Sequence, residues 1–217
     1  MTRSERHPWV VAVTGGMGSG KSTFCRLLAA HPSIVHLDAD RVAHELLEND
    51  EVAREIQAAF GDSVRDAAGA IDRARLGALA FADPGRLERL ERILHPRVLA
   101  RLEEDLRALK REGAADIVIV EIPLLAESGV PSWCDYVIAV EAAEPVRIAR
   151  SLKRGFDEGT IRRRLARQAT SEQRRSLADL VVDNSGGLSD LGRKVEQLRQ
   201  AWARSRPASR HGSKKSE

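Results

Sequence analysis

The chain has 217 residues, 42% of them hydrophobic and 31% charged, enough for one ordinary domain or two small lobes. That balance excludes a collagen-like, low-complexity or wholly disordered chain, and 4% aromatic content argues against stacking platforms for single-stranded nucleic acid. The net charge of +3 is uneven: residues 203–217 carry a surplus of +4, which leaves −1 for residues 1–202 and no basic footprint on the folded body.

Along the chain, short apolar runs rich in β-branched residues fall at 9–14, 34–38, 116–122, 135–140 and 179–183. Each is nearly continuous, which is how a strand covered on both faces reads. Charged segments with helical spacing lie between them, so the pattern predicts a parallel five-stranded sheet flanked by helices. About 77 residues separate the second run from the third, far more than one crossover helix requires. They read as an inserted helical lobe over about 41–113. Within it, a stripe of leucines, isoleucine and valine at spacings of three and four over 86–110 predicts a core-facing helix, broken at Pro96. Residues 153–169 are dense in arginine and hold two glycines, and read as a lid made of a mobile flap followed by a helix. Residues 204–217 are expected to be a disordered basic tail, and 8–203 one folded domain with core segments 8–40 and 114–203.

No apolar run approaches the roughly 20 residues of a spanning helix, and 9–13 is too short for a signal-peptide core. The chain reads as soluble and cytoplasmic, with Cys25 and Cys134 as reduced thiols.

The strongest motif follows the first run: Gly15, Gly16, Met17, Gly18, Ser19, Gly20, Lys21, Ser22 and Thr23 satisfy G-x-x-x-x-G-K-[ST] between a strand and a helix. Glycines let such a loop turn its N–H groups around phosphate oxygens, and the helix N-terminus adds partial positive charge. Lys21 is expected to bridge β- and γ-phosphates, and Ser22 to ligate Mg²⁺. The chain is expected to bind a nucleoside triphosphate.

The second run ends in Asp38-Ala39-Asp40, at the edge where parallel sheets place ligands. One carboxylate of this pair could accept a proton from an attacking hydroxyl; capping of the next helix is the alternative. Arg150 and Arg154, four apart, could share one helix face and close on transferring phosphate. Glu121, ending the third run, reads either as an acid near Mg²⁺ or as ordinary strand-end polarity. His95 reads as a packed histidine on spacing alone, and 183–186 as a base-reading segment or a turn.

In order, the loop 14–23, Asp38-Ala39-Asp40, Leu94-His95-Pro96, Pro123-Leu124-Leu125, the Arg150…Arg154 pair, Gln168 and Asp183-Asn184-Ser185-Gly186 resemble the dephospho-coenzyme A kinase family over about 9–202. The resemblance implies a P-loop kinase with a substrate lobe and lid. It implies transfer of the γ-phosphate of ATP to the ribose 3′-hydroxyl of dephospho-coenzyme A, with no nucleic-acid or membrane partner. Asp40 then looks like the acceptor of the hydroxyl proton, Arg150 and Arg154 like lid arginines, Asn184 like an adenine contact, and His95 like a substrate-side residue. His44, Gly155 and Ala126 depart from residues often found in relatives. Another small-molecule P-loop kinase, for a nucleoside monophosphate or sugar acid, is the alternative.

Overall fold

In the computed structural model, which describes residues 8–207, 209 and 210, the five apolar runs become five strands. In chain order, β1 (Trp9–Thr14) leads through the glycine loop into α1 (Lys21–Leu28), then β2 (Ile34–Asp38). The helices α2 (Ala39–Leu46), α3 (Asp50–Phe60), α4 (Arg73–Ala82) and α5 (Pro84–Glu112) follow. The chain returns as β3 (Ile117–Glu121), α6 (Leu125–Ser128), β4 (Tyr136–Glu141), α7 (Glu144–Lys153), α8 (Glu158–Arg167), α9 (Ser171–Leu177), β5 (Leu180–Asp183) and α10 (Leu188–Arg204).

Two compact units result: Met1–Asp38 with Ala108–Glu217, and Ala39–Arg107. The first carries the sheet, ordered β2-β3-β1-β4-β5 with every pair parallel. Strand β1 is buried at all six positions, the reason its sequence runs without polar alternation. Its neighbours β3 and β4 take the chain in opposite directions across the sheet, so the loop after β1 stands at the switch point where such sheets bind ligands.

One face of this sheet positions the site. Trp9, Val11 and Val13 of β1 point there with Ile117 and Ile119 of β3, Ile138 and Val140 of β4, and Ile34 of β2. Phe24, Cys25 and Leu28 of α1 and Leu191, Val195 and Trp202 of α10 cover them. Trp9 meets the Trp202 ring edge-on, with centroids 5.1 Å apart. Since β2 and β3 pair in register, His36 lies opposite Ile119 and Asp38 opposite Glu121; the period of two sends all four toward the face that α1 covers.

The second unit overlaps the lobe expected over 41–113. Its own core is Leu47, Val52, Ile56, Val64, Ile71, Leu76 and Ile93. Asn49 and Asp72 cap α3 and α4 by accepting N–H bonds from the first turns. The expected break at Pro96 does not occur, because α5 continues for 29 residues through it. Proline removes one N–H and crowds the preceding turn. The Arg97 guanidinium donates to Glu55 and to the Ile93 carbonyl, each at 2.7 Å, the latter one residue on from the Arg92 carbonyl that Pro96 leaves without an N–H.

The stretch 153–169, expected to be a flap followed by a helix, holds four residues after α7 ends at Lys153 and then α8, capped by Asp157 through the Thr160 N–H. Within 204–217, Ser209 donates to Asp135 and Arg210 to Asp179, each at 2.6 Å. Both carboxylates stand just before strands and already accept N–H bonds from Val10 and Val137. Residues 208 and 211–217, also expected in that tail, lie outside the described residues.

Candidate active site

The loop after β1 owes its path to glycine at two positions in particular. Gly18 (φ +76°) and Gly20 (φ +89°) adopt the left-handed region, and a Cβ on either would overlap the Arg147 carbonyl or the Asn184 amide. Side chains hold the loop from outside. Arg147 Nε donates to the Met17 carbonyl at 2.9 Å, and Gln168 Oε1 accepts the Met17 N–H at 2.8 Å. Asn184, 3% exposed, donates to the Ser19 carbonyl at 2.7 Å. Arg150 donates to the same carbonyl at 3.4 Å and to the Gly186 carbonyl at 2.8 Å. With these carbonyls engaged outward, N–H donors are what such a loop offers an anion. The Ser19 hydroxyl is buried with no hydrogen-bond partner among the described residues.

Beneath the loop, Lys21 Nζ lies 3.0 Å from Glu121 Oε1, and the Ser22 hydroxyl donates to the same oxygen at 2.6 Å. Burial alone would raise the Glu121 pKa. The neighbouring His36 ring, the Lys21 charge and the Ser22 hydroxyl outweigh it and hold the carboxyl at about 2. His36 Nε2 pairs with Oε2 at 3.2 Å, a close approach without the direction of a hydrogen bond, and neither atom has another hydrogen-bond partner among the described residues. Cys25 sits on the same side, its thiol pushed well above its ordinary range by burial and then by the charge of Glu121.

On the opposite flank of β1, Glu141 ends β4 and receives Arg174 through two bonds of 2.5 and 2.9 Å, with the Ser171 hydroxyl as a third donor at 2.8 Å. Both members of this pair are 2% exposed at the side chain. Arg174 also donates to the Ala169 carbonyl, tying the segment after α8 to the sheet. Arg147 lies alongside, its pKa lowered by burial and then by the Arg174 charge.

Of the sequence-predicted residues, Gly15, Gly16, Gly18, Ser19, Gly20, Lys21, Ser22 and Thr23 form the loop and the first turn of α1, and Arg150 and Asn184 hold it. Arg154 stands exposed at the C-cap of α7. Asp38 is the register partner of Glu121, whereas Asp40 is an exposed residue in the first turn of α2. His95 lies in α5, its Nε2 buried and unpartnered among the described residues. Sequence reasoning left Glu121 undecided and passed over His36, Glu141 and Arg174. The one readable signal was that Glu121 and Glu141 both end strands.

A parallel sheet with a phosphate loop at its switch point, a lysine and a hydroxyl meeting on a buried carboxylate, and arginines clasping the loop define a P-loop nucleotide-binding protein. The sequence profile of the dephospho-CoA kinase family matches residues 9–190. A dephospho-CoA kinase of Thermobifida fusca is 44% identical over 190 residues, 87% of this chain and 93% of that protein. One of Deinococcus radiodurans is 42% identical over 199 residues, covering 91% and 94%. A crystal structure of a Thermus thermophilus protein superposes with a TM-score of 0.75 at 34% identity, covering 93% of this chain and all of that one. The dephospho-CoA kinase of Campylobacter jejuni shares the fold, with a TM-score of 0.59 at 24% identity over 88% and 96% of the two chains. The chain belongs to the dephospho-CoA kinase family and is a kinase.

Proposed function

We propose that this chain transfers the γ-phosphoryl group of ATP to the ribose 3′-hydroxyl of dephospho-coenzyme A, giving coenzyme A and ADP, the closing step of coenzyme A synthesis. The observation that carries the reading is the convergence of Lys21 and Ser22 on buried, ionised Glu121 within a chain matched by that family over 9–190.

The loop N–H groups and the N-terminus of α1 bind the phosphates, and Lys21 leaves Glu121 for the β- and γ-oxygens. Ser22 and Glu121 present hard oxygen donors at a carboxyl of pKa about 2, which fits Mg²⁺; Ser22 would hold it. That ion would neutralise charge on the phosphates. Arg150, bonded only to backbone carbonyls, keeps its charge available to the transferring group, and Arg154 at the end of the same helix adds a second guanidinium. Asn184 contacts the adenine. Asp40 accepts the proton of the 3′-hydroxyl, and His95, with its buried ring nitrogen unpartnered, contacts the acceptor substrate. Free Cys25 and Cys134, and the lack of any helix among the described residues long and apolar enough to cross a membrane, suit a cytoplasmic enzyme.

Asp40→Asn keeps size and capping ability but removes the basic oxygen. General-base catalysis contributes roughly 10²–10⁴-fold, so kcat should fall by that factor with ATP affinity little changed. If Asp38→Asn proves the more damaging to kcat, or Asp40→Asn keeps more than about a tenth of the rate, Asp38, the register partner of Glu121, takes the role instead.

A further inference from the structure

Glu121 has two oxygens with different surroundings. Oε1 serves the phosphate loop through Lys21 and Ser22. Oε2 faces the other way, is buried, and has no hydrogen-bond partner among the described residues. Across from it at 3.2 Å is His36 Nε2, likewise buried and unpartnered. The two atoms form a close pair whose geometry is not that of a directed hydrogen bond, and neither has another hydrogen-bond partner among the described residues.

The third group is the thiol of Cys25. Its Sγ, a His36 ring nitrogen and a Glu121 oxygen all lie within 4.8 Å of one another. Three different elements deliver them to one place. Cys25 is one turn beyond Lys21 on α1, in the cluster packed on this face of the sheet. His36 and Glu121 reach the same face through the β2–β3 register. The sheet and α1 are rigid supports, as a metal site requires. The His36–Glu121 separation already matches the edge of a tetrahedron around an ion with ligand bonds of about 2.0–2.2 Å.

We propose that Cys25, His36 and Glu121 form a binding site for a borderline divalent ion of the Zn²⁺ class, separate from the Mg²⁺ position at Ser22. One sulfur, one imidazole nitrogen and one carboxylate oxygen are the donor types such ions select, with a fourth position open to water. Mg²⁺ requires oxygen donors in octahedral array and is refused by this set. Binding exchanges the Cys25 S–H bond for an S–metal bond and releases that proton to solvent, and the ion supplies the positive charge that makes a buried thiolate tolerable. The ion would take the place of the undirected contact between the ring nitrogen and Oε2.

The probe is Co²⁺ added to the metal-free full-length protein in excess Mg²⁺, followed by displacement with Zn²⁺. One equivalent of Co²⁺ should produce a thiolate-to-cobalt charge-transfer band with tetrahedral visible bands, and one equivalent of Zn²⁺ should remove both. Cys25→Ser should abolish the charge-transfer band and weaken Zn²⁺ binding at least tenfold while ATP-free melting stays close to wild type. His36→Gln should weaken Zn²⁺ at least tenfold with the charge-transfer band still reachable at higher Co²⁺, which separates loss of a ligand from loss of the fold. Cys134→Ser should change neither. Absence of the band in the wild type, its persistence in Cys25→Ser, or its loss in Cys134→Ser would overturn the site.

Discussion

Two buried glutamates flank the central strand, and they behave differently. Glu121 closes β3 on one side of β1, and Glu141 closes β4 on the other; they are 2% and 1% exposed. Glu141 is matched by a guanidinium through two bonds and by a hydroxyl, in a pair closed to solvent. Glu121 is met by Lys21, which remains 13% exposed, by Ser22, and by a histidine that makes no directed bond. The saturated pair fixes α9 and the segment after α8 to the sheet. In the proposed function, the unsaturated one holds in reserve the cation and hydroxyl that phosphates would claim. At equal burial, the completeness of the partner set separates a structural carboxylate from one that serves chemistry.

That contrast breaks first at Arg174. Arg174→Met leaves Glu141 charged and unpaired in the interior, and a broken buried pair costs about 3–5 kcal/mol. Denaturant unfolding should show this loss, and adding Glu141→Leu should restore most of it. A single-variant loss below about 1 kcal/mol would mean that the pair is not structural. On the other flank the expected effect is on rate. Lys21→Ala removes one preorganised cation from the phosphates, and losses of this kind run to about 10²–10³ in kcat/KM. Stability should fall as well, because Glu121 loses a buried cation, but by less than for Arg174→Met, since Ser22 still donates to Glu121 and Lys21 is the more exposed partner. Near-normal turnover in this variant would remove the phosphate loop from the mechanism.

Acid titration probes Glu121 itself. Its folded pKa of about 2 lies below the ordinary 4.5, so its contribution is complete above pH 4.5 and is lost as pH falls toward 2. The shift corresponds to about 3 kcal/mol. Glu121→Gln should flatten that part of the stability–pH curve, and an unchanged slope would contradict the assignment. The smallest effect belongs to Gln168, whose single bond to the Met17 N–H is worth about 1 kcal/mol. Gln168→Ala should raise the KM for ATP by about tenfold or less, with kcat near wild type.

Much of this was readable in the chain. The central strands are covered on both faces and so apolar, and the edge strands β2 and β5 still carry short β-branched runs, so all five announced themselves, β1 and β2 to the residue. The phosphate loop was legible because the positive φ values at Gly18 and Gly20 admit little else. The continuity of α5 through Pro96 was not, because a proline inside a helical pattern ordinarily ends or kinks it and no spacing rule marks the one that a helix carries. Nor was Arg174 with Glu141: the partners are 33 residues apart and meet only once α9 lies against β4. The facing of His36 on Glu121 depends in the same way on strand register, which period-two patterning specifies only after the pairing is known.

The most direct measurement is ADP release by the purified protein with ATP and Mg²⁺, comparing dephospho-coenzyme A with AMP, adenosine and gluconate as acceptors. Dephospho-coenzyme A alone should drive release above the acceptor-free rate, with coenzyme A formed in equal amount and Lys21→Ala nearly inactive. Equal release with another acceptor, or release indifferent to any acceptor, would contradict the assignment of this site to dephospho-coenzyme A phosphorylation.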